Sequence, residues 1–340
     1  MRRTLSILGL AALSGCSVQR WQPAGAAGPV DDHTAHMMAA DLATPRLAVT
    51  REGQQGMSGF PASGATVAAR LSSSPRHGEW VKIPWGAGST DSLMAWIAYP
   101  MRQDKAPVVV VVHEIFALST WVRGVADQLA AEGFIAIAPD FASRTRGGPS
   151  ADTLDAQTAG RLLREVPDAD RYTNAIVAAA NYAMTRPAAQ QKYAVIGYCW
   201  GGTTVWGHAI AGGVKGFSAG VAFYGAPPYT SGGAAATATT PAVPASEVTD
   251  SLAKIRVPLM LFNGARDARI GARMPALDSI MRSLRKDYVG TNYEGAVHGF
   301  LRQQDDVVSG PNATAGPSNV AAMKDAWPRT VAFLRKHLGT

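Results

Sequence analysis

Four turns of the sequence place a reactive side chain directly after a run that reads as a β-strand. Cys199 stands in Gly197-Tyr198-Cys199-Trp200-Gly201-Gly202, flanked by glycines that allow a sharp bend from strand to helix. Asp267 follows a strand by a short loop in FNGARDARI, His298 follows the last strand in EGAVHGF, and Glu114 comes straight after an apolar run that ends at His113. A thiol, a carboxylate and an imidazole are the parts of an activated nucleophile. His298 would take the proton of Cys199, and Asp267 would hold the imidazole in the useful tautomer. Taken singly, a loop aspartate is usually a cap and a lone histidine incidental. Three turns that agree in kind and order argue for chemistry. A free thiol with pKa near 8.5 is only about 3% ionised at neutral pH, so a base beside the bend, such as Glu114, has a proton to take.

The elements that must position these groups alternate in type. Residues 79–85 and 93–100 alternate as half-buried strands do, whereas 106–113, APVVVVVH, is a continuous β-branched run expected of a strand covered on both faces. A helical pattern over 120–133 precedes a strand at 134–140. Helix 168–185, strand 192–198, helix 202–213 and strand 215–225 follow, then strand 257–264, helix 274–286, strand 287–294 and helix 321–338. This order predicts right-handed crossovers and an α/β fold, a mostly parallel central sheet with helices on both faces. In such a sheet, active groups gather where strands end and helices begin, which is where the four turns lie. The low-complexity stretch 227–246 interrupts the rhythm and is expected to be an exposed insertion.

The N-terminus reads differently. Residues 1–16 carry two arginines, an apolar run from Leu5 to Leu13 and then Ser14-Gly15-Cys16, the pattern of an export signal whose cysteine becomes lipidated. The run is too short for a permanent membrane span. From 17 to 77 the chain is rich in Ala, Gly, Ser, Thr and Pro, and a largely disordered tether is expected, with the folded domain over 78–340. These features predict a periplasmic or cell-envelope lipoprotein, in contact with the membrane only through its anchor, and a monomer. With Cys16 acylated, Cys199 is the one remaining thiol of two, and an internal disulfide is excluded. The net charge of +7 is spread without a basic cluster, which argues against nucleic acid as a partner. His33 and His36 have no further ligand near them in sequence, so no metal is expected there.

HEIFALS, APDFASR, GYCWGG, GARD and HGFLR, in this order and spacing, resemble the dienelactone hydrolase family of the α/β-hydrolase superfamily, from about Glu79 to the C-terminus. The resemblance implies a hydrolase of a small, carboxylate-bearing ester or lactone that needs no cofactor or metal. It puts the triad on Cys199, Asp267 and His298, and makes Glu114 the group that takes the thiol proton when substrate enters. The oxyanion hole would be the backbone N–H groups of Ile115 and Trp200, and Arg144 and Arg302 would bind the substrate carboxylate. Phe116, Phe141, Trp200, Tyr224 and Phe300 lie near the catalytic turns and are candidate pocket walls. Ala117, Gly299 and Trp200 depart from residues common in that family and bear on pocket shape. The alternative is a non-catalytic envelope protein that uses the scaffold to bind a ligand.

Overall fold

The computed structural model describes residues 56–85, 90–150, 154–228, 245–305 and 314–340. The export signal with Cys16, the tether as far as residue 55, and 229–244 of the expected insertion lie outside the described residues.

Eight strands form one sheet: β1 (Gly78–Pro84), β2 (Ser92–Ala98), β3 (Ala106–Val112), β4 (Ile135–Pro139), β5 (Ala189–Tyr198), β6 (Phe217–Phe223), β7 (Leu259–Gly264) and β8 (Tyr288–Tyr293). Their spatial order is β1-β2-β4-β3-β5-β6-β7-β8. The β1–β2 and β2–β4 pairs are antiparallel and every other neighbouring pair is parallel. This is a mostly parallel eight-stranded sheet, as the alternating pattern predicts, and it agrees with the α/β-hydrolase fold that the resemblance implies.

All seven residues of β3 are buried, because it runs through the middle of the sheet and helices cover both faces. Val109 and Val111 point into one core, with helices Thr120–Ala131 and Gly316–Leu338. Val108, Val110 and Val112 point into the other, with helices Ala156–Arg164 and Ala175–Met184. Fully burying such a side chain contributes roughly 1.5–3 kcal/mol, so a continuous valine run is stable only where both faces are packed. Helix Ala156–Arg164, with Asp155 as its N-cap, had no counterpart in the sequence reading.

The expected domain boundary at 78 falls inside the folded unit. Residues 56–77 include helix Val67–Ser72, and Ala62, Ser63, Thr66 and Val67 are buried against helix Thr120–Ala131. Val67 lies so close to Gly124 that a Cβ there would come within 2.2 Å of its Cγ2. Small residues, which make the segment look like a linker, are what allow this approach. Polar contacts fix it further: Arg76 donates to both carboxylate oxygens of Asp127, at 3.0 and 2.6 Å, and Ser74 Oγ donates to Oδ1 at 2.5 Å. Asp127 is only 4% exposed. Replacing Arg76 by alanine would leave this carboxylate buried without its counter-charge. Urea unfolding is expected to show a loss of about 3 kcal/mol; a change below about 0.5 kcal/mol, the level of an ordinary surface site, would mean that the segment is not part of the cooperative unit.

Candidate active site

Cys199 joins β5 to helix Trp200–Ala211 with φ 55° and ψ −113°, a conformation that L-residues rarely adopt. Its N–H donates to the Phe223 carbonyl at 3.0 Å, and its own carbonyl accepts from Thr203 N–H at 3.2 Å, so the bend is held from both sides. The helix begins at Trp200, one to two residues before the start read from the sequence. The backbone N–H groups of Trp200 and Ile115 both face the Cys199 sulfur and act to lower its pKa. One comes from the helix after β5 and the other from the loop after β3, so two strand ends meet at one atom.

Asp267 caps the short helix Ala268–Gly271, accepting from Ile270 N–H through Oδ1, while Oδ2 lies 2.5 Å from His298 Nδ1. Burial works to raise the Asp267 carboxyl, but the hydrogen bond from His298, the charge of Arg269 and the Ile270 N–H together outweigh it and hold the group below the usual carboxylate range. An ionised carboxylate can only accept, so Nδ1 carries the proton and donates it to Asp267. Nε2 is then the nitrogen available for proton uptake. The loop bearing His298 is clamped by Asn319 of helix Gly316–Leu338, whose Oδ1 accepts from Val297 N–H at 3.0 Å and whose Nδ2 donates to the Gln303 carbonyl. Nothing in the sequence around Asn319 signalled this role.

Glu114 is fully buried and forms an ion pair with Arg302, Oε2 to Nε at 3.2 Å. The Arg302 guanidinium also lies over the Phe116 ring, 4.6 Å from its centroid. Burial first, and the Glu114 charge second, push the Cys199 thiol up to about 12; the N–H groups of Trp200 and Ile115 and the charge of Arg269 act in the other direction. In this arrangement the thiol is protonated at neutral pH. Tyr224 connects the two halves of the site. Its ring centroid is 5.0 Å from that of His298, and its hydroxyl is raised well above its ordinary range, first by burial and then by the charge of Glu114. Phe300 packs edge-on against Tyr224 at 5.5 Å.

The family resemblance implies Arg144 as a second carboxylate binder, but in the structure its guanidinium is committed elsewhere. Its guanidinium binds Asp91 and Asp170, each at 2.8 Å, and stacks over Trp85. It lines a small open cleft with Trp85, Phe141, Val166 and Asp170, and none of Cys199, Glu114, Asp267 or His298 lines that cleft. The reason is local. The tight turn after β4 is pinned by buried Asp140, which accepts from Ala142 N–H and from the N–H and Oγ of Ser150, and this directs Arg144 toward two acidic partners. Phe141, from the same turn, does reach the site and packs edge-on against Trp200 at 5.2 Å.

His113 was missed as a contributor. It is completely buried and uses both ring nitrogens: Nε2 accepts from Phe141 N–H at 3.2 Å, so Nδ1 donates to the Glu114 carbonyl at 2.7 Å. It therefore ties the loop of Glu114 and Ile115 to the turn after β4. A histidine closing a run of valines was the available signal.

Comparison with known proteins bears on what this arrangement does. The dienelactone hydrolase family description matches residues 93–338. The chain belongs to the dienelactone hydrolase family. It is a carboxylic ester hydrolase of that type, on the α/β-hydrolase fold. A protein of Synechocystis sp. provisionally named carboxymethylenebutenolidase is 30% identical over 251 residues, 72% of this chain and 92% of its own. A Bradyrhizobium sp. protein provisionally named 2-oxo-3-(5-oxofuran-2-ylidene)propanoate lactonase is 27% identical over 76% of this chain and 94% of its own. Among solved structures, a provisionally assigned dienelactone hydrolase from Klebsiella pneumoniae superposes with a TM-score of 0.56 at 23% identity. The match covers 76% of this chain and 98% of that one, a likeness of fold.

Burial makes the dienelactone hydrolase fold acid-sensitive in a defined window. His113 and His208 are both pushed down to about 4, chiefly by desolvation. His208 sits between the Tyr193 hydroxyl, 3.0 Å from Nε2, and the Tyr172 carbonyl, 2.8 Å from Nδ1. Between pH 4 and 6.5 the unfolded chain binds more protons at each site, so the stability they support is full above 6.5 and is lost as pH falls toward 4. Each contributes a slope of about 1.4 kcal/mol per pH unit. In urea unfolding at pH 7.5 and 5.0, wild type is expected to lose about 2 kcal/mol more than His208→Gln. Equal losses would show that His208 titrates normally in the folded protein.

Proposed function

We propose that this enzyme hydrolyses a small carboxylate-bearing ester or lactone through a covalent thioester on Cys199. The observation that carries the reading is the convergence of the Ile115 and Trp200 N–H groups on the Cys199 sulfur at a strained bend. Donors preset around the attacking atom are also in place for the oxyanion that develops beside it, and they need no reorganisation during reaction.

The thiol is protonated at rest, so attack requires a proton acceptor. The Arg302 guanidinium that now faces Glu114 suits a substrate carboxylate equally well. A substrate anion entering at Arg302 competes with Glu114 for it and frees that carboxylate to accept the Cys199 proton. The thiolate then adds to the carbonyl carbon, and the oxyanion forms at the Ile115 and Trp200 N–H groups. Collapse breaks the bond from carbon to the leaving oxygen, which receives the proton held by Glu114. His298 Nε2, with Asp267 stabilising the cation that results, removes a proton from water. The hydroxide adds to the thioester, carbon–sulfur cleavage releases the acid, and the proton on His298 returns to the thiolate. Phe116 and Tyr224 form walls of this pocket. The export pattern of residues 1–16 supports the further proposal that the enzyme is held at the cell envelope through acylated Cys16, which the mass of the mature N-terminal peptide from membrane fractions would test.

Replacing Cys199 by alanine is expected to lower kcat/KM toward aryl esters and enol-lactones by more than about a thousandfold. Undiminished turnover would end the nucleophile assignment. A lactone bearing a free carboxylate should be turned over at least about tenfold more efficiently than its neutral amide counterpart, and equal efficiencies would remove Arg302 as the anion site.

A further inference from the structure

Just before helix Ala175–Met184, residues Asp170–Asn174 form a π-helical turn. Such a turn carries one residue more than regular α-helix accommodates and is frequent at functional sites. This one carries Arg171. Its Nε donates to Thr204 Oγ1 at 2.9 Å, and its Nη2 donates to the Trp200 carbonyl at 3.0 Å. Thr204 Oγ1 donates to the same carbonyl at 2.9 Å. The guanidinium also lies over the Trp200 ring, 4.1 Å from its centroid. His113 stacks on that ring at 5.6 Å and Phe141 meets it edge-on, so the residue following the thiol is gripped on its backbone and around its side chain.

The charge of Arg171 differs from that of the neighbouring arginines. Arg144 is matched by two carboxylates and Arg302 by Glu114. Among the described residues no carboxylate forms an ion pair with Arg171; Asp168 acts on it only at longer range, and Cys199 is within its field. A cation near the thiol favours the thiolate, and a fork gripping Trp200 fixes the peptide N–H that faces the reacting centre.

We propose that Arg171 is a positioning residue of the nucleophile turn: it locks Trp200 so that its N–H stays aimed at the sulfur and the oxyanion, and it supplies an unmatched positive charge to the thiolate. The inference rests on Cys199 being the nucleophile. The test therefore includes a reaction of the thiol that needs no substrate.

Wild type, Arg171→Gln, Arg171→Lys and Thr204→Val would be compared in two assays. One is the rate of Cys199 alkylation by iodoacetamide at pH 9, read by mass spectrometry. The other is steady-state hydrolysis of a neutral aryl ester. Arg171→Gln is expected to alkylate about tenfold more slowly and to lose about ten- to a hundredfold in kcat at nearly constant KM. Arg171→Lys keeps the charge without the fork, so it should alkylate near the wild-type rate yet recover only part of kcat. Thr204→Val, with one anchor gone, should lower kcat less than Arg171→Gln. Alkylation and kcat both at wild-type level in Arg171→Gln would overturn the proposal. So would a lower melting temperature with the alkylation rate unchanged, which is what a merely structural residue would give. If Arg171→Gln does not fold, an undiminished kcat in Arg171→Lys overturns it instead. Full ester turnover by Cys199→Ala would defeat the nucleophile reading itself, whatever the Arg171 variants show.

Discussion

The candidate site depends on a backbone that does not relax. Cys199 is held at positive φ where β5 gives way to a helix, a conformation that costs of order 1–3 kcal/mol and persists only when its surroundings fix it. Here they do so through close backbone contact. A Cβ on Gly201 would lie 2.3 Å from the Val112 carbonyl oxygen, and one on Gly197 would lie 2.1 Å from that of Gly201. The start of the helix thus rests directly on the end of β3. This approach brings the loop of Ile115 alongside Trp200, and it is why two N–H groups distant in sequence reach the same sulfur. Glycine at these positions serves packing of main chain on main chain, and the thiol geometry follows from it.

Once that geometry is set, burial governs the electrostatics. Cys199, Glu114, Asp267 and His298 are all buried, where charges interact far more strongly than in water. Each must then be matched or neutral. Asp267 accepts the Nδ1–H of His298 and Glu114 is paired with Arg302, while the thiol, raised by desolvation and by Glu114, keeps its proton. A protonated buried thiol is a poor nucleophile toward stray electrophiles and oxidants, so the resting site protects the one cysteine of the domain. In the proposed mechanism, activation comes from a redistribution of charge among groups already present, with an incoming anion exchanging for Glu114 at Arg302.

Much of this was legible in the sequence because strand ends carry their own signals. The eight strands are short apolar or alternating runs bounded by turns, and the reactive residues follow β3, β5, β7 and β8. What escaped notice depends on contacts between distant segments. Arg171 lies in a helix that reads as regular, and only the extra residue of the π turn aims it at Trp200. Asn319 acts across the sequence on Val297. Arg144 occupies a position where the family resemblance implies anion binding, yet Asp91, far upstream, and Asp170 claim it first. Local pattern gives the type of each element and the residue at its end, while the direction in which a long side chain reaches is decided by partners elsewhere.

The stretch before β1 shows the same dependence on distant partners, and it bears on the site. The family match begins at residue 93, but the backbone that steadies the loop of His298 and Arg302 begins earlier. Gly64 N–H donates to the Arg302 carbonyl at 2.9 Å, Gln304 Nε2 donates to the Pro61 carbonyl at 2.9 Å, and Trp121 Nε1 donates to the Ala62 carbonyl at 3.0 Å. These bonds tie residues 61–64 to the loop that carries His298 and Arg302 and to the helix that follows the Glu114 loop. Asn319 grips that same loop from the opposite end of the chain. The imidazole and the guanidinium therefore keep their places because segments on both sides of the loop in sequence close on it. A composition of Ala, Gly, Ser and Pro, which argues for a linker when read alone, here supplies a thin strap whose main-chain groups do the holding, since small side chains let its backbone lie close against the loop.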